Sequence, residues 1–129
     1  MEVAVGQAAA LVMDDDEDVR FIAEYMLKNI GFAVVPTATG SEAIACYAAE
    51  LRAGRRFLAV ILDSNIPGSM GGREVLGKLK ELDPQVNAFI TSGNPFDPMM
   101  IDPKAFGFAG AIPKPFTTDC FLKLLAPKR

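Results

Sequence analysis

The sequence predicts an α/β fold in which five parallel strands form one sheet with helices on both faces. Short apolar runs bounded by turn residues recur along the chain, and such runs are typical of buried parallel strands. Each run is followed by a segment with helical spacing, and strands that alternate with helices form parallel sheets with right-handed crossovers. The 129 residues, half of them hydrophobic, are enough for one domain with a buried core.

The first β-α unit follows residues 1–8, which show no pattern and which we interpret as a linker or a disordered N-terminus. Its strand is the apolar run at 9–13. Its helix is predicted over 17–30, with Gly31 as the C-terminal stop. The apolar residues of this helix that are expected to face the core are Val19, Ile22, Ala23, Met26, Leu27 and Ile30.

The second unit has a strand predicted over 32–35. Its helix begins within 39–42 and ends before Gly54. The inward-facing residues expected on this helix are Ala43, Ile44, Tyr47, Ala48 and Leu51.

The third unit contains the most apolar strand, predicted over 57–62. A loop at 66–72 with three glycines and a proline leads from it into a helix at 73–82. The pair Asp83-Pro84 breaks this helix. Its inward-facing residues are predicted to be Val75, Leu76, Leu79 and Leu82.

The last two units are shorter. A strand is predicted over 86–91 and a helix over 98–106, and Pro103 should shorten or distort that helix. The final strand is predicted at 109–112 and the final helix at 117–125.

Composition excludes several classes of function. The net charge is −3 and no basic run is present, so we expect no direct binding of nucleic acid. The absence of histidine excludes a histidine general base and a phosphohistidine donor within this chain. Two isolated cysteines, Cys46 and Cys120, fit a reduced, cytoplasmic compartment. No apolar run approaches the roughly 18 residues of a membrane span, so we expect no membrane contact by this domain.

Charged residues stand directly after three of the predicted strands. Asp14 and Asp15 follow the first strand, Asp63 follows the third and Lys114 follows the fifth. Ligands of open α/β sheets bind beyond the carboxyl ends of the strands, so three carboxylates and one ammonium should meet in one pocket. Crowded carboxylates disfavour one another's ionised form, and Mg²⁺ removes that penalty while it also binds phosphate oxygens. Asp63 is then a candidate nucleophile, because carboxylates can form aspartyl-phosphates.

Each of these residues also has a simpler structural interpretation. The acidic run at 14–18 can start a helix, since carboxylates stabilise helix N-termini. Asp63 can be a turn residue, and Lys114 an ordinary surface lysine. The hydroxyls of Thr91 and Ser92, at the end of the fourth strand, can bond either a phosphoryl oxygen or the local backbone.

Taken together, four short motifs resemble those of the receiver domains of two-component response regulators. They are Leu-Val-Met-Asp-Asp at 11–15, Val-Ile-Leu-Asp-Ser-Asn-Ile-Pro at 60–67, Ile-Thr-Ser-Gly at 90–93 and Lys-Pro-Phe at 114–116. The likeness covers about residues 9–126, which would be one receiver domain. It implies a flavodoxin-like sheet with the strand order 2-1-3-4-5.

The resemblance also implies a function: a phosphoryl group passes from a phosphohistidine of a partner onto Asp63. Asp15 would bind Mg²⁺ directly and Asp14 mainly through water, with Asp63 and the backbone carbonyl of Asn65 as further ligands. The partner would be a histidine kinase or a histidine phosphotransfer protein. Phosphorylation would switch a protein-interaction surface, and a homodimer is left open.

Two further site residues carry over from the resemblance. Thr91 would be the switch hydroxyl and Lys114 the clamp on the phosphoryl group. The Lys114-Pro115 bond is a candidate cis peptide that would aim the lysine inward. The loop at 67–74 and the segment 53–57 resemble receivers attached to hybrid sensor histidine kinases, which would make this domain the cytoplasmic part of a membrane sensor. Whether the domain is part of an enzyme is left open.

The chain departs from the family on the output side. An aromatic residue is common three positions before the lysine, and Ala111 stands there instead. A receiver-fold binding module without regulated phosphorylation is therefore an alternative. A haloacid-dehalogenase-like phosphatase is a more remote one, because its acid/base aspartate would fall at Asn65.

Overall fold

The computed structural model describes residues 8–125, which form five strands and their connecting helices. Residues 1–7 of the expected N-terminal linker lie outside the described residues, whereas the Ala8 carbonyl already accepts a hydrogen bond from the Ala33 N–H at 2.8 Å. The strands are β1 (Ala9–Met13), β2 (Ala33–Thr37), β3 (Ala59–Asp63), β4 (Ala88–Ser92) and β5 (Gly110–Pro113).

The α-helices and one 3₁₀ helix connect these strands. They are α1 (Glu17–Asn29), α2 (Gly40–Arg52), α3 (Gly72–Leu82), α4 (Pro98–Ile101), the 3₁₀ helix (Pro103–Phe106) and α5 (Thr118–Leu125). In the described range 8–125 none of these helices has the length and apolarity needed to cross a membrane.

All strand pairs are parallel, and the sheet order is β2-β1-β3-β4-β5. This order confirms the α/β, flavodoxin-like sheet expected from the resemblance. Because β1 and β3 are neighbours, the first and third apolar runs lie side by side in the centre of the sheet. Their carboxyl ends, with those of β4 and β5, form one edge.

The core has two layers, one on each face of the sheet. Alternate residues of each strand point to opposite faces. Leu11, Val60 and Ile90 pack with α2 and α3 on one face. Val12 and Ile61 pack with α1 and α5 on the other. The strands are thus buried on both sides, which explains their continuous apolar sequences.

Strand β2 differs from its prediction, since it runs over Ala33–Thr37 instead of 32–35 and includes Pro36. A proline lacks the N–H that a ladder needs and is confined to edge strands or to strand ends and bulges. β2 is an edge strand, and Pro36 lies opposite Val12 of β1. Strands β3 and β4 likewise start two residues later than predicted and end one residue later.

The fourth helix is interrupted as the proline predicted. Instead of a helix over 98–106, α4 ends at Ile101 and the 3₁₀ helix begins at Pro103. Asp102 lies between them, and its side chain accepts a hydrogen bond from the Ala105 N–H at 3.4 Å. The helical region between β4 and β5 is therefore two short pieces.

Two residues predicted to face inward are exposed. Ile22 on α1 and Leu82 at the end of α3 are each 44% exposed. Ala23 and Leu27 are the two fully buried residues of α1. The apolar stripe of α1 thus extends beyond the surface that it buries.

Candidate functional site

The sheet register places the charged residues predicted for the site at one edge. Met13 lies opposite Leu62, so the next residues, Asp14 and Asp63, stand side by side at the ends of β1 and β3. Asp63 in turn lies opposite Thr91 of β4. Lys114 follows β5 directly, and its backbone N–H donates to the Ser92 carbonyl at 3.1 Å. The four strands therefore present their terminal residues to one pocket.

Three carboxylates converge in this pocket. One carboxylate oxygen from each of Asp14, Asp15 and Asp63 lies within 4.8 Å of the other two. Asp14 and Asp63 are buried, whereas Asp15 is exposed. Lys114 Nζ is 2.7 Å from Asp14 Oδ2 and 3.4 Å from Asp63 Oδ1. Asp14 Oδ2 accepts no hydrogen bond of regular geometry among the described residues, so its contact with the ammonium is an ion pair.

This charge set fits a hard divalent cation. One ammonium against three carboxylates leaves two negative charges without compensation. Carboxylate oxygens are the ligands that Mg²⁺ prefers, and the ion typically binds one or two of them together with water and phosphate oxygens. The exposed Asp15 leaves the cluster open to solvent on one side.

The pKa values of the pocket reflect this crowding. Burial, followed by the charge of Asp14, raises the pKa of Asp63, while Lys114 and the backbone N–H of Asn65 oppose the rise. Burial alone would lower the pKa of Lys114, but its contacts with Asp14 and Asp63 outweigh burial and raise it. The lysine is thus firmly cationic, and Asp63 is a carboxylate held in an unfavourable environment.

The two hydroxyls at the end of β4 have different surroundings. Ser92 Oγ accepts a hydrogen bond from the Asn94 N–H at 3.0 Å, which is the local structural role expected of such a hydroxyl. Thr91 Oγ1 is buried and has no hydrogen-bond partner within residues 8–125. An unsatisfied buried hydroxyl costs about 1–3 kcal/mol, so this atom is available to a ligand in the pocket.

The rest of the acidic run has the structural role predicted for it. Asp16 is the N-cap of α1, and its side chain accepts hydrogen bonds from the N–H groups of Asp18 and Val19 at 2.9 and 3.3 Å. Glu17 and Asp18 occupy the first turn, where carboxylates stabilise the helix dipole. Only Asp14 and Asp15 of this run belong to the pocket.

A family model described as "Response regulator receiver domain" matches residues 10–126, nearly the whole chain. The chain belongs to this family. It is thereby a receiver domain of two-component phosphorelay systems, whose members interact with histidine kinases or phosphotransfer proteins and in general bind Mg²⁺ in an acidic pocket.

Curated relatives of this receiver domain are bacterial regulators. The chain is 32% identical over 111 residues to the C4-dicarboxylate transport transcriptional regulatory protein DctD of Rhizobium meliloti. The aligned segment is 86% of this chain and 23% of the relative. It is 30% identical over 114 residues to the transcriptional regulatory protein FixJ of the same species. This aligned segment is 88% of the chain and 53% of the relative. The receiver thus spans between about a quarter and a half of these relatives.

Solved structures share its fold. A receiver domain protein from Clostridium thermocellum superposes with a TM-score of 0.81 at 20% identity, covering 92% of this chain and 90% of that one. CheY in a complex with CheX, BeF₃ and Mg²⁺ from Borrelia burgdorferi has a TM-score of 0.78 at 23% identity, with coverage of 90% and 84%. The receiver of the sensor histidine kinase PA1611 from Pseudomonas aeruginosa was solved with a magnesium ion in its active-site cleft. It has a TM-score of 0.78 at 20% identity, and the match covers 94% of this chain and 95% of that one.

The structure adds positioning residues of the receiver that sequence reasoning missed. Arg20 on α1 donates to the Asp14 carbonyl at 2.8 Å. The Asp14 N–H donates to the Thr37 carbonyl at 3.1 Å, and Thr37 Oγ1 donates to the Val12 carbonyl at 2.8 Å. These contacts hold the end of β1 from both sides. No sequence motif marks Arg20 or Thr37, because both partners are backbone atoms.

The predicted residues come together with one partial exception. Asp14, Asp15, Asp63, Thr91 and Lys114 all line the same sheet edge. Asn65 lies two residues beyond Asp63 on the exposed start of the β3–α3 loop, close enough for its N–H to act on the Asp63 carboxylate. The Lys114-Pro115 peptide is cis, as predicted.

Proposed function

We propose that Asp63 accepts a phosphoryl group from a phosphohistidine of a partner histidine kinase or phosphotransfer protein. The observation that carries the proposal is the convergence of three carboxylates within 4.8 Å, with Lys114 Nζ 3.4 Å from the Asp63 carboxylate. A structural cluster would neutralise its charges internally. This one keeps an excess of negative charge and an unpartnered hydroxyl at the mouth of the sheet.

The transfer needs few groups. An oxygen of the Asp63 carboxylate attacks phosphorus, the P–N bond breaks, and its electron pair stays on the imidazole nitrogen, which takes a proton from solvent. No general base is required, because a carboxylate nucleophile has no proton to remove, and the ammonium of Lys114 opposes the rise in the pKa of Asp63 that burial and Asp14 cause. The ammonium then lies where it can bind an oxygen of the transferred group.

Asp14, Asp15, Asp63 and the backbone carbonyl of Asn65 are the groups that would hold Mg²⁺. The support is the oxygen donor set and its uncompensated charge. When bound, the ion would supply charge neutralisation for the carboxylates and the phosphoryl oxygens. A solved receiver with the same fold, that of PA1611, holds magnesium in its active-site cleft.

Thr91 is the proposed switch residue. Its hydroxyl is buried beside Asp63 in the register of β3 and β4 and has no partner among the described residues. A phosphoryl oxygen on Asp63 would give that hydroxyl an acceptor. The hydrogen bond would draw the end of β4 and the following loop toward the pocket, and so change the surface around α4.

The test uses a small phosphodonor, such as acetyl phosphate, with Mg²⁺ and intact mass spectrometry. We expect one added phosphate on the wild type and none on Asp63→Ala. The matched control is Asp119→Ala, which removes an exposed carboxylate on α5 and should be phosphorylated like the wild type. Equal labelling of Asp63→Ala, or an unlabelled wild type, would refute the proposal.

A second candidate is a binding module whose surface does not respond to phosphorylation. Its specific support is Ala111, where many receivers have an aromatic residue, and the division of the fourth helix at Asp102. Hydrogen exchange after phosphorylation separates the two candidates. Unchanged exchange throughout α4, β5 and α5 on a phosphorylated domain would favour the passive module.

We further propose that the domain is part of a hybrid sensor histidine kinase on the cytoplasmic side of a membrane. The support is sequence alone: the loop at 67–74 and the segment 53–57. The curated relatives named above are regulators instead. A histidine-kinase core encoded upstream of Met1 in the same reading frame is the expected result. An output domain of a transcription regulator encoded after Arg129 would contradict it.

A homodimer and the absence of nucleic-acid contact are also proposals for this domain. The net charge of −3 and the lack of a basic run support the second. Sedimentation with and without phosphodonor would measure the first, and a gel-shift with random duplex DNA would measure the second.

A further inference from the structure

Arg73 makes a contact that the phosphorylation pocket does not require. It is the second residue of α3, and its guanidinium carbon lies 5.0 Å from the centroid of the Phe106 ring in the 3₁₀ helix. A guanidinium within about 6 Å of an aromatic face is attracted by the ring quadrupole. The arginine is exposed and the ring is half-buried. In the sequence Arg73 comes before β4 and Phe106 comes after it.

The contact is one end of a longer stripe on α3. A Cβ built at Gly107, which caps the 3₁₀ helix with φ +91°, would lie 3.0 Å from Lys80 Nζ and 3.4 Å from Leu76 Cδ2. Arg73, Leu76 and Lys80 are spaced by three and four residues, so they lie on one face of the helix. That face is directed at the 3₁₀ helix and its cap.

The N-terminus of α3 is packed directly on the backbone of the phosphoacceptor strand. A Cβ at Gly72 would lie 2.8 Å from the Asp63 carbonyl oxygen and 2.7 Å from Ile90 Cδ1. A Cβ at Gly71 would collide with the Ser64 carbonyl oxygen. Only glycine permits this approach, so α3 begins in contact with the end of β3. Close-packed groups of this kind transmit a displacement instead of absorbing it.

The aromatic residue that is common in this family three positions before the lysine is replaced by alanine on β5. Ala111 lies opposite Ile90 in the sheet and packs, half-buried, against the core. A methyl group has no rotamer with which to follow a movement of Thr91. A signal that reaches the 3₁₀ helix, which lies beyond the β4–α4 loop that Thr91 would move, needs another physical path.

The geometry points to α3 as that path: the Arg73–Phe106 contact couples the state of the Asp63 pocket to the position of the 3₁₀ helix. A shift of the Asp63–Ser64 backbone moves the glycines packed on it. The first turn of α3 follows, and the guanidinium carries the ring of Phe106 with it. This coupling rests on the proposed phosphorylation of Asp63 and identifies the element that responds to it.

The test measures amide hydrogen exchange with and without beryllofluoride and Mg²⁺, a combination present in the Borrelia complex. The Gly107 and Phe108 N–H groups report on the 3₁₀ helix, since they donate to the carbonyls of Lys104 and Pro103 at 3.1 and 3.0 Å. The Ser64 and Lys114 N–H groups report on the pocket, since both donate to β4 carbonyls. In the wild type we expect beryllofluoride and Mg²⁺ to change the exchange rates of both pairs of amides, those of Gly107 and Phe108 by about fivefold.

Arg73→Gln and Phe106→Leu remove the two sides of the contact in turn. In both variants the pocket amides should respond as in the wild type, while the response of Gly107 and Phe108 is lost. Lys78→Gln is the matched control, because it removes the same charge from an exposed position of α3 and should behave like the wild type.

The possible failures are distinguishable. A wild-type response of Gly107 and Phe108 that persists in both variants would overturn the coupling and leave the proposed function standing. A wild type in which the pocket amides respond and Gly107 and Phe108 do not would also overturn the coupling and leave the proposed function standing. A wild type in which the pocket amides themselves do not respond would overturn the proposed function, and the coupling with it.

Discussion

Two buried aspartates lie at opposite ends of the parallel strands, Asp63 at the carboxyl ends and Asp83 at the amino ends, and they differ in how their charges are satisfied. Asp63, 6% exposed, ends β3, and Asp83, 4% exposed, precedes β4. Asp83 accepts hydrogen bonds from the Tyr47 hydroxyl at 2.6 Å and the Gln85 N–H at 2.9 Å, and Arg56 Nε lies 2.8 Å from it. Asp63 has one ammonium at 3.4 Å and the negative charge of Asp14 beside it.

The pKa shifts of the two carboxyls have opposite signs. The Tyr47 hydroxyl, with the Gln85 N–H and Arg56, lowers the pKa of Asp83 against the effect of burial. Burial and Asp14 raise the pKa of Asp63. Burial alone therefore does not identify a functional carboxylate. A buried carboxylate with a full set of donors stabilises the fold, and one without them is held in place by the fold and is free to take a ligand.

The largest effect is expected at the satisfied site. Asp83→Ala leaves the buried Tyr47 hydroxyl without its acceptor and removes the partner of Arg56. We expect the free energy of unfolding to fall by about 3 kcal/mol in urea titration. Glu81→Ala removes an exposed carboxylate two residues away and should stay within about 0.5 kcal/mol of the wild type. Equal losses in Asp83→Ala and Glu81→Ala would show that Asp83 stabilises the fold no more than an exposed carboxylate does.

Binding of Mg²⁺ at the Asp14, Asp15 and Asp63 cluster should raise the free energy of unfolding by nearly as much as Asp83→Ala lowers it. At a concentration about a hundred times its Kd, a ligand of the native state adds about 2.7 kcal/mol to the free energy of unfolding. Asp15→Asn should lose most of this gain, because Asp15 is the exposed carboxylate of the cluster. Urea titrations in Mg²⁺ and in a chelator measure it, with Asp119→Asn as the control. A full gain in Asp15→Asn would show that the ion binds elsewhere.

Asp63→Asn should change stability in the direction opposite to Asp83→Ala. In the presence of a chelator the amide removes the repulsion from Asp14 and the cost of a buried charge, so we expect a gain of about 1 kcal/mol. The measurement is urea unfolding beside the wild type under the same conditions. A loss of stability would mean that the Asp63 carboxylate is a structural group like Asp83.

The smallest effect is a pH dependence at Asp83. Its folded pKa lies below the unfolded value of about 3.9, so its stabilisation is complete above that value and is lost as pH falls through the folded pKa. Tyr47→Phe removes the first cause of the shift and should cost about 1 kcal/mol near neutral pH. The difference from the wild type should shrink in acid, whereas Tyr25→Phe, at a 63% exposed position, should show none.

Much of the domain could be predicted from the sequence because its signals are local. Continuous apolar runs indicate strands buried on both faces, and the residues after them must lie at one edge of a parallel sheet. Asp14, Asp63 and Lys114 follow from that rule, and Pro103 marks the break in the fourth helix. The bounds of β2 were wrong by one residue at its start and two at its end, because an edge strand tolerates Pro36.

The tertiary structure decided what depends on partners distant in the chain. The residues alone left open which of the Thr91 and Ser92 hydroxyls bonds the local backbone, and only the family resemblance favoured Thr91 for the pocket; the structure pairs Ser92 with a backbone donor and leaves Thr91 Oγ1 without a partner among the described residues. Tyr47 and Asp83 are 36 residues apart, and neither position carries a motif. The sequence by itself determined which side chains reach the sheet edge, since the strand period is local. Which buried charges are satisfied there was decided by packing, since hydrogen-bond partners are chosen in three dimensions.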